Sequence, residues 1–151
     1  MRCTLEIIPG KSIGPFRLGM TQQEIEEALR SMSPDASTLE DLGIIASFPK
    51  EETSDGTKRC NRLEIRVVNN DHTLLLLGQP VNDINNADAA CLLSSISPDV
   101  RRSYACLSLE EAGIEAIRWE HSDEWIYCFF IIPPFAPSTN EPAPVFGSGL
   151  N

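Results

Sequence analysis

Two stretches of this 151-residue chain carry the same motifs in the same order, and that constrains its fold more than any other feature. Residues 31–43 read SMSPDASTLEDLG, while residues 95–99 read SISPD and 108–113 read SLEEAG. Each half thus contains S-[MI]-S-P-D and then [ST]-L-E-[DE]-x-G-I. Each SPD follows an apolar set with helical spacing: Ile25, Ala28, Leu29 and Met32 in the first half, Ala89, Leu92, Leu93 and Ile96 in the second. Intervals of three and four put each set on one face of a helix. Thr21 is the expected N-cap of the first helix, with Glu24 completing a capping box, and Asp83 or Asn86 would cap the second. Ser33-Pro34 and Ser97-Pro98 stop the helices, because a residue before proline avoids the α region.

Strand patterns surround each helix. Residues 13–18 and 73–77 precede the two helices, and residues 43–48 and 113–119 follow the two [ST]LE[DE]xG segments. A further strand closes each half. Residues 62–68 alternate Leu63, Ile65 and Val67 against Glu64 and Arg66, the pattern of a sheet with one wet face. Residues 125–132 are nearly all apolar and belong at the centre of a sheet. The unit is β-α-β-β, used twice. It predicts an α+β fold with one mostly antiparallel sheet and two helices packed on one face.

The expected organisation is a single globular domain over residues 1–132, from repeats at about 8–70 and 73–132. At this length a chain buries roughly two-thirds of its unfolded surface, enough for its own core. Residues 133–151 hold five of the eleven prolines and read as a disordered tail. The polar stretch 50–58, with its Asp-Gly pair, reads as a turn or mobile loop.

Charge narrows the partners. There are 12 basic and 22 acidic residues, a net charge of −10. A general nucleic-acid binder needs a basic face, and anionic lipid also attracts basic segments, so neither partner is expected. The N-terminal apolar run is broken at Glu6 and ended by Pro9, which predicts no secretory leader and a cytoplasmic protein. Cys3, Cys60, Cys91, Cys106 and Cys128 form no CxxC pair and read as buried free thiols. His72 follows the turn-like residues 69–71, and His121 falls in a polar turn between two strands. Neither shows ligand spacing, so no metal is expected. Gly10-Lys11-Ser12 lacks the upstream glycine of a phosphate loop and precedes a strand, so no cofactor is expected and the chain does not read as an enzyme.

Residues 7–30 read IIPGKSIGPFRLGMTQQEIEEALR. From Pro9 to Leu29 this segment resembles the opening of small bacterial cytosolic proteins that serve as immunity partners of polymorphic toxins, with their PGKSIG-x-F-x-LGM pattern. The LGMTxxEI element is also similar to the turn and helix of lipoproteins with the β-lactamase-inhibitor-protein-like fold. Unlike those lipoproteins, the chain is expected to carry no signal peptide or lipobox, since its opening MRCTLEIIPG has neither pattern. It departs from the usual opening at Arg30, where the pattern has glycine after Leu29. The glycines and Thr21 have structural reasons to be there, so the motif marks a fold and is not itself a binding site.

The resemblance implies a cytosolic immunity protein that occludes a cognate toxin without catalysis. A nuclease-like effector with a basic cleft would suit an acidic inhibitor. Residues 76–151 hold ten acidic and three basic side chains, against twelve and nine in residues 1–75. The densest acidic stretch is Glu110, Glu111, Glu115, Glu120, Asp123 and Glu124, with Trp119 and Trp125 at its end. Aromatic anchors beside charge have the composition of a binding hot spot, so these eight residues are the candidate partner-binding site. The alternatives are a structural or assembly module of the same fold, and an enzyme with an unrecognised Cys/His site.

Overall fold

A computed structural model describes residues 3–32, 38–49, 56–119 and 124–134. The chain opens with β1 (Thr4–Ile8), whose Leu5 and Ile7 are buried while its other side chains face outward. A tight turn at Gly14-Pro15 divides the expected strand at 13–18 into β2 (Ser12–Ile13) and β3 (Phe16–Arg17). Ile13 and Phe16, both from the PGKSIG-x-F segment, are completely buried.

Helix α1 (Gln22–Met32) starts as its sequence predicts. The Glu24 amide donates to Thr21 Oγ1 at 3.2 Å, and the Thr21 amide donates to Glu24 Oε1 at 2.9 Å. That reciprocal pair holds the Glu24 carboxyl below its ordinary pKa, chiefly through the backbone bond. A short 3-10 turn, Leu39–Leu42, leads into β4 (Ile44–Ser47) and β5 (Arg62–Arg66). The second half runs β6 (Thr73–Leu76), β7 (Gln79–Pro80), α2 (Asn86–Ser94), β8 (Arg101–Arg102), β9 (Cys106–Leu109), β10 (Ile114–Arg118) and β11 (Ile126–Ile131). The cap of α2 is Asn85, whose side chain accepts the Asp88 amide at 2.7 Å, and not Asp83 or Asn86.

The fold is α+β and mostly antiparallel, but the strands form two sheets where the repeat predicted one. The first has the order β3-β2-β1-β6-β7, and its centre is the parallel pair β1–β6. The second has the order β4-β5-β11-β10-β9-β8 and is antiparallel throughout. The apolar β11 sits between β5 and β10, at the centre of its sheet as expected. Register aligns two core rows across the larger sheet. One joins Ile44, Ile65, Phe129, Ala116 and Leu107, and the other joins Ala46, Leu63, Ile131, Ile114 and Leu109. Because side chains alternate between faces, the intervening row of Ile45, Glu64, Phe130, Glu115 and Ser108 faces outward, and Ile45 is half exposed. Arg62 lies 4.9 Å from the Phe130 ring on that face.

Buried residues of both helices (Ile25, Leu29, Ala89, Ala90 and Leu93) join the same apolar cluster as the inner faces of both sheets. The two [ST]LE[DE]xG segments end alike, on Gly43 and Gly113 with φ of +78° and +75°. They differ before that point. In the first half the segment is a 3-10 turn, whereas in the second Leu109 ends β9 and residues 110–113 turn back into β10. The SPD at 33–35, the acidic part of the 50–58 loop and the tail from 135 onward lie outside the described residues. No helix among the described residues is long and apolar enough to cross a membrane.

Candidate functional site

The β10–β11 hairpin carries the aromatic part of the predicted site. Its last described backbone bond runs from the Trp119 amide to the Trp125 carbonyl at 2.9 Å. Within the hairpin, Ile117 pairs with Cys128 but Arg118 pairs with Ile126, so Tyr127 is an extra residue in β11. Such a bulge bends a strand and redirects the side chains beside it. The Tyr127 carbonyl accepts the amides of Val67 and Val68 at 2.8 and 3.3 Å, which ties the exit of β5 to the bulge. The Tyr127 ring is 36% exposed and lies 6.2 Å from the Trp119 ring, tilted by 58°.

Beside this hairpin is a cleft of about 510 Å³. Trp119, Trp125 and Ile126 line it from the hairpin, Val68 and Asn69 from the turn after β5, and Asn82, Asp83 and Ile84 from the segment before α2. That volume falls within the roughly 300–1,000 Å³ of small-molecule and side-chain pockets. Trp125 is 42% exposed, a large apolar surface left in water. The 82–84 wall is held by Asn82, whose Oδ1 accepts the Leu74 amide at 2.9 Å and whose Nδ2 donates to the His72 carbonyl at 2.6 Å. It is also fastened to the hairpin: the Ile126 amide donates to the Ile84 carbonyl, and the Asn86 amide donates to the Glu124 carbonyl. A second groove shares Asn82, Asp83 and Ile84 and continues along α2 past Asp88, Cys91 and Leu92.

The eight predicted partner-binding residues do not form one patch. Trp119, Glu124 and Trp125 are together at the end of the hairpin. Glu120 and Asp123 lie between them in sequence but outside the described residues, as does His121. Glu115 is half-buried on the outward row of the large sheet. Glu110 and Glu111 sit at the other end of β10, separated from Trp119 by a strand length of roughly 16 Å. There they are engaged within the chain: Glu110 pairs with Arg101 at 3.7 Å, and Glu111 accepts the Ser97 hydroxyl at 3.2 Å. Sequence reasoning missed Val68, Asn69 and residues 82–84, which face the tryptophans only after the chain folds.

His72 precedes β6 and is buried. Its Nδ1 accepts the Cys3 amide at 3.0 Å, and its Nε2 lies 3.3 Å from the Asp41 carbonyl. This arrangement makes Nε2 the protonated nitrogen and ties up both ring positions. All five cysteines are free thiols, but only Cys60 and Cys128 are buried as expected: Cys3 and Cys106 are half-buried and Cys91 is exposed. Burial pushes the Cys60 thiol up, and burial with the nearby Glu64 charge pushes Cys128 up to about 12, so both are protonated thiols at neutral pH. Among the described residues, no three His, Cys, Asp or Glu side chains are grouped to hold a metal ion. Compared with known proteins, the chain matches no family model, no curated protein and no solved structure.

Proposed function

We propose that the chain is a cytoplasmic immunity-type protein that binds and occludes a cognate toxin domain, a basic nuclease-like effector, without chemistry of its own. The observation that carries this reading is the half-exposed Trp125 beside Trp119 at the rim of a cleft whose charged residue, among the described lining residues, is Asp83. Tryptophan supplies large contact area and dominates many binding hot spots. Occlusion requires only a complementary surface of roughly 800 Å² per partner. The net charge of −10 favours rapid encounter with a basic partner. The resemblance of residues 9–29 to immunity proteins points the same way.

In this reading the contact centres on Trp119 and Trp125, with Glu120, Asp123 and Glu124 supplying charge between them in sequence. Glu115 extends the contact over the sheet face, and Glu110 and Glu111 are peripheral. Charge reversal at Glu120, Asp123 and Glu124 is expected to weaken partner binding and flatten its salt dependence. Unchanged affinity at low salt would move the contact away from the hairpin.

A further inference from the structure

The cleft between the hairpin and the 82–84 segment combines features that together select one kind of occupant. Two of its walls are indoles, whose faces are negative and attract cations. Asp83 lines both this cleft and the groove that continues toward Asp88. No Lys, Arg or His is among the described lining residues of either. A cation entering here meets two indoles and a carboxylate, with no basic side chain competing among the described lining residues.

We infer that the cleft receives an arginine side chain presented by the partner protein, stacked against Trp119 and Trp125 and paired with Asp83. Arginine fits better than lysine because its guanidinium is planar, weakly hydrated and able to stack on a ring while its N–H groups pair with a carboxylate. This inference rests on the partner-blocking reading above and names the chemistry of the residue that the partner supplies. Its partner surface is basic, as charge complementarity to Asp83 and Asp88 requires.

The chain's two tryptophans both line this cleft, so its intrinsic indole fluorescence reports on the cleft alone. The test is a titration of the full chain with acetyl-Gly-Arg-Gly-amide and with the same peptide carrying citrulline, which keeps the shape and removes the charge. The arginine peptide is expected to give a saturable fluorescence change and to shift both indole N–H proton signals. Citrulline, and the Asp83→Asn variant, should each weaken binding by about fivefold or more. Equal binding of the two peptides, or no saturable change with arginine, overturns the inference.

Capture of a partner by the tagged chain separates the two proposals. If the arginine peptide binds but no protein is captured, the cleft assignment stands and the toxin-blocking reading fails. If a partner is lost from Trp125→Ala but captured equally by wild type and Asp83→Asn, the cleft assignment fails and the blocking reading stands.

Discussion

The Trp119 amide donates to the Trp125 carbonyl at 2.9 Å, and this bond ties together the two strands that carry the indoles. It lies just beyond the bulge at Tyr127, whose carbonyl holds the amides of Val67 and Val68. The aromatic end of the hairpin is therefore braced by β5 and by the 82–84 segment. A surface prepared in this way loses little conformational entropy when a partner arrives.

If the bracing matters, Asn82 tests it, because its side chain holds the 82–84 wall of the cleft. Asn82→Ala removes the acceptor for the Leu74 amide and the donors to the Asn70 and His72 carbonyls. Loss of a half-buried network of this size should cost about 1–3 kcal/mol in urea unfolding. An unchanged midpoint would show that the segment is held by other contacts.

Gly113 and Gly78 share a backbone conformation, with φ of +75° and +78°, but not their surroundings. A methyl group on Gly113 would run into the Ile132 carbonyl and lie 2.7 Å from the Gly10 Cα, whereas one on Gly78 meets nothing within 4 Å. Gly78→Ala should therefore cost only the left-handed penalty of about 1–2 kcal/mol. Gly113→Ala should cost clearly more, since backbone must move. Thermal unfolding of the two variants side by side checks this, and equal losses would contradict the close approach of residues 10 and 113.

His72 joins the start of β1 to the 3-10 turn through Cys3 and Asp41. His72→Ala leaves the Cys3 amide without its acceptor and opens a gap beside β6, with an expected loss of about 2 kcal/mol. Amide exchange at Cys3 should accelerate in the variant. Unaltered exchange would mean that this bond does not hold the strand end.

Cys128 makes a prediction with a definite sign. Its thiol is raised in the folded chain from 9.0 to about 12, by burial first and the Glu64 charge second, with Arg62 opposing. The unfolded thiol ionises first, so this contribution is fully present below pH 9 and is lost as pH rises toward 12. The slope from one such group is at most about 1.4 kcal/mol per pH unit. Cys128→Ala should flatten the alkaline loss of stability relative to its own neutral-pH value. A parallel loss in wild type and variant would show that other groups dominate there.

Much of the architecture was legible because it rests on periodicity. The helices follow from Ile25, Leu29, Ala89 and Leu93, and β5 follows from the alternation of Leu63 and Ile65 with charged neighbours. The division into two sheets was not legible. Thr4–Ile8 alternates as a strand should, but its partner is β6, in parallel and far along the chain, and local pattern does not encode such a pairing. Two-residue strands such as Phe16–Arg17 are too short to show any period. The polar SLEEAG motif also misled in part, because its Leu109 ends a strand where Leu39 starts a 3-10 turn.

The site was legible only on one side. Trp119 and Trp125 stand out as aromatics beside acids. The facing wall, Val68, Asn69 and residues 82–84, comes from loops that carry no motif and reach the hairpin through backbone bonds at Ile84 and Tyr127. Linear charge density also grouped Glu110 and Glu111 with the tryptophans, although the length of β10 separates them.

The most direct test of partner blocking through this hairpin is capture by the tagged full chain at low and high ionic strength, run beside Trp125→Ala. The account predicts one stoichiometric basic protein that is retained at low salt, released as salt rises and lost from the variant. Folded chain recovered with no partner at either salt, or a partner held equally well by Trp125→Ala, would contradict it.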